Sequence, residues 1–166
     1  MADITNSNLH NIDTGILKKD ACVVLVKTEW NAAITDQLER GCVAKLEEIG
    51  VRKTIIVTVP GAVEIPFTIR HFWEQSAKKD KPDAFIALGC VIKGDTPHFE
   101  YVCQSVTEGI GRLNLLLPVP VIFGVLTVNT EEQAIERIGG KHGHKGEEAA
   151  ITALKMITLA KNFKKH

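Results

Sequence analysis

Four short apolar runs, "ACVVLVK", "KTIIVTV", "DAFIALGCVI" and "PVIFGVLT", are spaced along the chain with helical patterns between them. That alternation restricts the possible folds more than any other feature. The first run is continuously apolar, which predicts a strand buried on both faces. From Asn31 to Ile49, apolar residues recur at Ile34, Leu38, Cys42, Leu46 and Ile49 as a helical stripe, and Gly50 stands where a C-terminal cap belongs. The later runs are followed by "GAVEIPFTIRHFWEQSAKK", by a helix from Pro97 to Leu117 and by "TEEQAIERIG"; a last helix is expected from about Gly146 to Phe163. Four buried strands alternating with helices pair in parallel through right-handed crossovers. The expected fold is therefore α/β, a three-layer α/β/α domain with a four-stranded parallel core.

The 166 residues suffice for one domain with its own core, with residues 1–20 as a polar N-terminal arm. Lys and Arg total 20 and balance 20 Asp and Glu, so no broad attraction to nucleic acid or to an anionic membrane is expected. Small ligands and protein partners fit better. Cys22, Cys42, Cys90 and Cys103 sit in apolar surroundings without Cys-x-x-Cys spacing, which predicts buried reduced thiols and a cytoplasmic protein. The start "MADITNSNLHNIDTG" has neither a basic n-region nor an apolar h-region, and no apolar run is long enough to span a bilayer. Export and membrane insertion are not expected.

In such a sheet, ligands bind beyond the carboxyl ends of the strands. The segments at those ends are "TEWN", "PGAVE", "KGDTPH" and "TVNTEEQ", with the bend "KHGHKG" further on. In "GDTPH", Gly94 permits close backbone approach, Asp95 or Thr96 can cap the next helix, and Pro97 suits its first position. The free amides make an anion site or simply begin a well-capped helix. His98 can move protons for a ligand held there, or stand as an exposed helix histidine. Trp30 can stack on a flat ring or close a core edge. Glu64 can bind ligand hydroxyls or complement a helix dipole. Arg137 can hold a phosphate, with Lys141 and Lys145 adding charge, although each also fits solvated surface. Phe123 reads as core, and Gly124 beside it allows close approach or marks a bulge. His142 and His144 lack further ligand spacing, so no zinc site is expected.

Taken together, "VPGAVEIP", "GCVIKGDTPHFEYV" and "PVIFGVLTVNTEEQAIERIGGKHGHKG" resemble the 6,7-dimethyl-8-ribityllumazine synthase family, in order from about Val23 to Lys161. The resemblance implies a flavodoxin-like fold. It also implies condensation of 5-amino-6-(D-ribitylamino)uracil with 3,4-dihydroxy-2-butanone 4-phosphate, the penultimate step of riboflavin biosynthesis, without metal or redox cofactor. By the same resemblance His98 is the proton-transfer residue. Trp30, Ala62, Val63, Glu64, Cys90, Val91, Ile92 and Phe123 surround the ribitylaminouracil. Asp95, Thr96 and Arg137 hold the butanone phosphate, with Gly94 and Lys145 as accessory residues. Asp95 stands where many relatives carry a small uncharged residue, and Trp30 where phenylalanine is commoner. The resemblance further implies pentamers with active sites between neighbouring subunits. The short "IGGKHGHKG" bend favours joining twelve pentamers into an icosahedral shell, and association with a riboflavin synthase follows from the same likeness. The rival is a non-catalytic flavin- or lumazine-binding or shell-forming protein on this fold; "KTEWNAAIT" lacks the Ser/Thr/Gly-rich phosphate loop that a flavodoxin-type carrier would need.

Overall fold

The computed structural model describes residues 7–10 and 21–163, so most of the arm expected over residues 1–20 lies outside the described residues. Four strands, β1 (Cys22–Thr28), β2 (Lys53–Val59), β3 (Ala84–Ile92) and β4 (Val121–Val128), form one parallel sheet in the order β2-β1-β3-β4. Helices α1 (Ala32–Ile49), α2 (Ile65–Gln75), α3 (His98–Leu116), α4 (Glu131–Ile135) and α5 (Lys145–Phe163) complete the chain, with a 3-10 turn over Ala62–Glu64 ahead of α2. The strand limits match the four apolar runs closely. Gly50 closes α1 in the left-handed conformation, as its position predicts.

Handedness decides which helix covers which face. The chain moves from β1 outward to β2 through α1, then returns across β1 to β3 through α2 and on to β4 through α3. A right-handed crossover in each direction puts α1 on one face and α2 with α3 on the other. Two apolar clusters reflect this. Val23, Leu25, Ile86 and Leu88 pack with Leu38, Cys42 and Leu46 of α1 and Ala150, Leu154 and Ile157 of α5. Val24, Val26, Phe85 and Ala87 pack with Ile69 of α2 and Val106, Ile110 and Leu113 of α3. The alternation is the period of two that strand side chains impose.

Three expectations change. β2 is an edge strand, largely half-buried or exposed, with Ile56 open to solvent; among the described residues it has one strand neighbour, β1. The helix expected through "TEEQAIERIG" stops at Ile135. Gly139 and Gly143 hold positive φ, and their freedom turns the chain into a small antiparallel hairpin, β5 (Ile138–Gly140) with β6 (Gly143–His144), instead of a longer helix. Neither Asp95 nor Thr96 caps α3: Pro97 occupies the cap position in helical dihedrals, without a side-chain cap bond.

Helix α5 packs closely on α1. A Cβ built on Gly146 would lie 2.1 Å from the Leu38 carbonyl oxygen, so only a hydrogen fits there. Gly146→Ala is expected to lower stability by about 1–3 kcal/mol, the usual cost of overpacking. A drop in the urea midpoint at unchanged m-value checks it; an unaltered midpoint shows that α5 can shift freely.

Candidate active site

The order β2-β1-β3-β4 reverses direction at β1, so the loops leaving β1 and β3 part there and open a crevice at the carboxyl edge. A cavity of about 510 Å³ lies at that place. Trp30 and Asn31 come from the end of β1, and Ala62, Val63 and Glu64 from the 3-10 turn after β2. Cys90, Val91 and Ile92 close β3, and His98 with Val102 belongs to the start of α3. Eight residues expected in the site therefore meet in one space.

The lining divides by chemistry. Trp30 is 73% exposed although large and apolar, which offers a ring face to a planar ligand rather than to the core. This removes the core-edge alternative for Trp30. Gly61 lies between two of the functional groups: a Cβ there would come within 3.0 Å of Glu64 Oε2 and 3.5 Å of Trp30 Cδ1. Glu64 is exposed, so its carboxylate can accept from hydroxyls on a ligand. Cys90 is buried, and burial pushes its thiol up to about 11, with Glu131 adding a smaller push. It lines the floor as a thiol and is no nucleophile at neutral pH. The imidazole of His98 stands in the first turn of a 19-residue helix, the side chain suited to moving protons near neutral pH.

Gly94, Asp95 and Thr96 lie exposed on the loop between β3 and α3, next to the cavity but outside its lining. Among the described residues no backbone bond engages the amides of Asp95 and Thr96, and a Cβ on Gly94 would meet nothing within 4 Å. Room and free donors thus coincide at a helix N-terminus.

Three expected residues stand elsewhere in the chain. Phe123 and Lys145 line a second cavity of about 430 Å³ between β4 and α5, where Leu9 also reaches. Phe123 is 41% exposed, which corrects its reading as core: β4 is an edge strand. Lys145 is buried, not solvated. Its Nζ donates to both carboxylate oxygens of Glu148, at 2.7 and 2.8 Å, which satisfies a cation otherwise costly to bury. Arg137 lines neither cavity; its Nη1 donates to the Gln133 carbonyl at 2.7 Å. Of the two histidines weighed as ligands, His142 lies 3.5 Å from Glu136. His144 packs its ring against Gly41 and Gly146, with Nδ1 buried and without a partner among the described residues. The sequence reading passed over Asn31, whose amide Nδ2 donates to the Cys90 carbonyl at 2.8 Å. An asparagine in the short turn between a strand and the next helix was the available signal.

A doubly wound parallel sheet with a mostly apolar crevice at its switch point, edged by a few polar groups, defines an α/β/α protein of flavodoxin-like fold that takes a small planar ligand. Residues 20–161 match the family model for 6,7-dimethyl-8-ribityllumazine synthase, and the chain belongs to that family. A 6,7-dimethyl-8-ribityllumazine synthase of Porphyromonas gingivalis is 50% identical over 143 residues, covering 85% of this chain and 86% of the relative. One from Bacteroides fragilis is 48% identical over 143 residues, covering 85% and 97%. A third, from Flavobacterium psychrophilum, is 46% identical over 158 residues, covering 93% and 82%.

The thiols make a separate test of the site's shape. Burial raises Cys42 to about 12 and Cys90 to about 11, while Cys103 is half-buried and raised less. Both folded values lie above the unfolded value near 9, so each buried thiol contributes its full stability below pH 9 and loses it as pH rises towards 11–12. At pH 8, a maleimide should label Cys103 first and leave Cys42 and Cys90 unmodified until unfolding. Rapid modification of Cys90 in the folded protein would overturn its assignment to a closed floor.

Proposed function

We propose that the protein condenses 5-amino-6-(D-ribitylamino)uracil with 3,4-dihydroxy-2-butanone 4-phosphate to 6,7-dimethyl-8-ribityllumazine, as the penultimate step of riboflavin biosynthesis. The whole chain acts as a single domain in the cytoplasm. Among the described residues, no helix is long and apolar enough to cross a membrane. The observation that carries the reading is the shared cavity: an exposed indole, a carboxylate and an imidazole surround one apolar slot, beside unengaged amides at a helix start.

In this scheme the pyrimidine stacks on Trp30 over Cys90, Val91 and Ile92, with Ala62, Val63 and Glu64 along the ribityl chain. The amides of Asp95 and Thr96 hold the phosphate, with Gly94 leaving it room. Asp95 acts through its backbone, because its carboxylate repels an anion. The 5-amino nitrogen attacks the butanone carbonyl, and loss of water leaves an imine. His98 takes a proton as the carbon–oxygen bond to phosphate breaks. The enol left at the neighbouring carbon tautomerises to a new carbonyl, to which the ribitylamino nitrogen adds, and loss of a second water closes the ring. These steps balance without an external oxidant or reductant. Holding two reactive molecules side by side supplies much of the acceleration.

Phe123, Arg137 and Lys145 serve the cavity of a neighbouring subunit in a pentamer, Phe123 against the pyrimidine and Arg137 on the phosphate. Support comes from their distance in sequence and layer from the cavity of their own subunit, and from the guanidinium's lack of a carboxylate partner among the described residues. Exposed Phe67, Tyr101, Leu115 and Leu116 on α2 and α3 favour burial between copies. The two-strand hairpin keeps the bend compact, as assembly of twelve pentamers into a shell requires, and such a shell is suited to enclosing a riboflavin synthase.

The decisive measurement is the rise of lumazine absorbance from the two substrates, corrected for their uncatalysed condensation. His98→Ala is expected to slow turnover about ten- to a hundredfold, at or below the low end of general acid–base effects. Complete loss with binding intact would mean that proton transfer, not approximation, dominates. Arg137→Ala should chiefly raise the requirement for the butanone phosphate, and unchanged dependence on it removes Arg137 from the site. Analytical ultracentrifugation is expected to show the shell; pentamers or decamers alone refute that assembly.

A further inference from the structure

The step from β1 into α1 contains a feature for which the reaction scheme assigns no task. Asn31 adopts φ 57° and ψ 47°, and it is the one non-glycine residue with positive φ among the described residues. Glycine meets this backbone demand at less cost, so geometry alone does not account for an asparagine. What asparagine adds is its amide. Nδ2 donates to the Cys90 carbonyl oxygen across 59 residues of sequence. That oxygen can only accept, so the amide nitrogen must face it.

The register between β1 and β3 ends at Lys27 and Leu88, two residues before Cys90. Asn31 therefore extends the join between these strands by a side chain, where the backbone ladder has stopped. Its neighbour Trp30 is held towards β2, where its N–H donates to the Pro60 carbonyl at 3.3 Å, while Thr28 Oγ1 donates to the Trp30 carbonyl at 3.4 Å. Among the described residues, the Asn31 bond is the hydrogen bond that joins the turn carrying Trp30 to β3. The exposed indole and the strip from Cys90 to Ile92 are the two surfaces between which a flat ring must fit.

We propose that Asn31 is a positioning residue that sets the separation between Trp30 and the end of β3, and thereby the fit of the planar substrate. The inference rests on reading that slot as the pyrimidine subsite. It assigns Asn31 a share in recognition of the ribitylaminouracil and none in binding the butanone phosphate.

Asn31→Gly isolates the amide, because glycine takes the same backbone conformation without strain. The KM for the ribitylaminouracil should rise about two- to tenfold, the range set by one net hydrogen bond. The KM for the butanone phosphate should stay within about twofold under the same one-bond expectation. Asn31→Asp keeps the shape and turns an acceptor towards the Cys90 carbonyl, so it should not restore the wild-type value. A purely structural residue gives the opposite pattern: Asn31→Gly then matches the wild type in both constants. Equal rises in both constants also refute the proposal. Time-resolved anisotropy of Trp30, in a Trp73→Phe background, supplies a readout that needs no turnover. More rapid indole motion in Asn31→Gly supports the tie, and identical decays overturn it. If the wild-type protein fails to condense the substrates, the functional reading falls, while the anisotropy comparison still decides whether Asn31 holds the loop.

Discussion

Everything in this protein depends on the parallel pairing of β1 with β3 at the centre of the sheet. Both strands are buried on two faces, from Val23 to Val26 and from Ala84 to Leu88, with the larger side chains wholly out of water. Each such side chain contributes about 1.5–3 kcal/mol when removed from water, which becomes available only if helices cover both faces. The right-handed crossover rule then leaves α1 and α5 on one side and α2 and α3 on the other. The same arrangement makes the chain depart in opposite directions from β1, and the crevice that results is the candidate site. Core and cavity are two consequences of one strand order.

Charge within this chain is separated in an ordered way. The crevice contains a carboxylate, an imidazole and a thiol kept neutral by burial, with helix-start amides adjoining. Lys145 and Arg137 lie outside that crevice, Lys145 in the cavity between β4 and α5. Lys145 is already satisfied by Glu148, whereas among the described residues the Arg137 guanidinium engages a single backbone carbonyl, that of Gln133. Elsewhere, burial works against the charge of Lys27, but hydrogen bonds to Asp36 and Glu39 outweigh it and raise the ammonium above its ordinary value. That pairing fastens the end of β1 to α1 directly below the turn that carries Trp30 and Asn31. A rigid base for the aromatic wall follows from it.

Much of the site was legible because it lies in short segments at strand ends. "PGAVE" and "GCVI" each supply neighbouring residues to one wall, so locating the strand also located the wall. The hairpin over residues 138–144 was less legible: "AIERIG" continues a helical pattern, and only the glycines that follow reverse the chain. Lys145 looked like surface charge because the sequence does not show that β4 and α5 enclose it. Asn31 was overlooked for a related reason, since its partner is a backbone carbonyl, which any residue at position 90 would provide.

The sequence by itself determined the four strands and most of the helices, because hydrophobic period and turn chemistry are local properties, while the eight residues of one shared lining were implied by its resemblance to the lumazine synthase family. Tertiary structure alone decided the rest. It made β2 and β4 edges, exposed Phe123, hid Lys145 and left Arg137 outside the cavity. Those outcomes depend on which distant elements end up side by side, and that is settled by crossover handedness and by close contacts such as Gly146 on Leu38 rather than by any single segment.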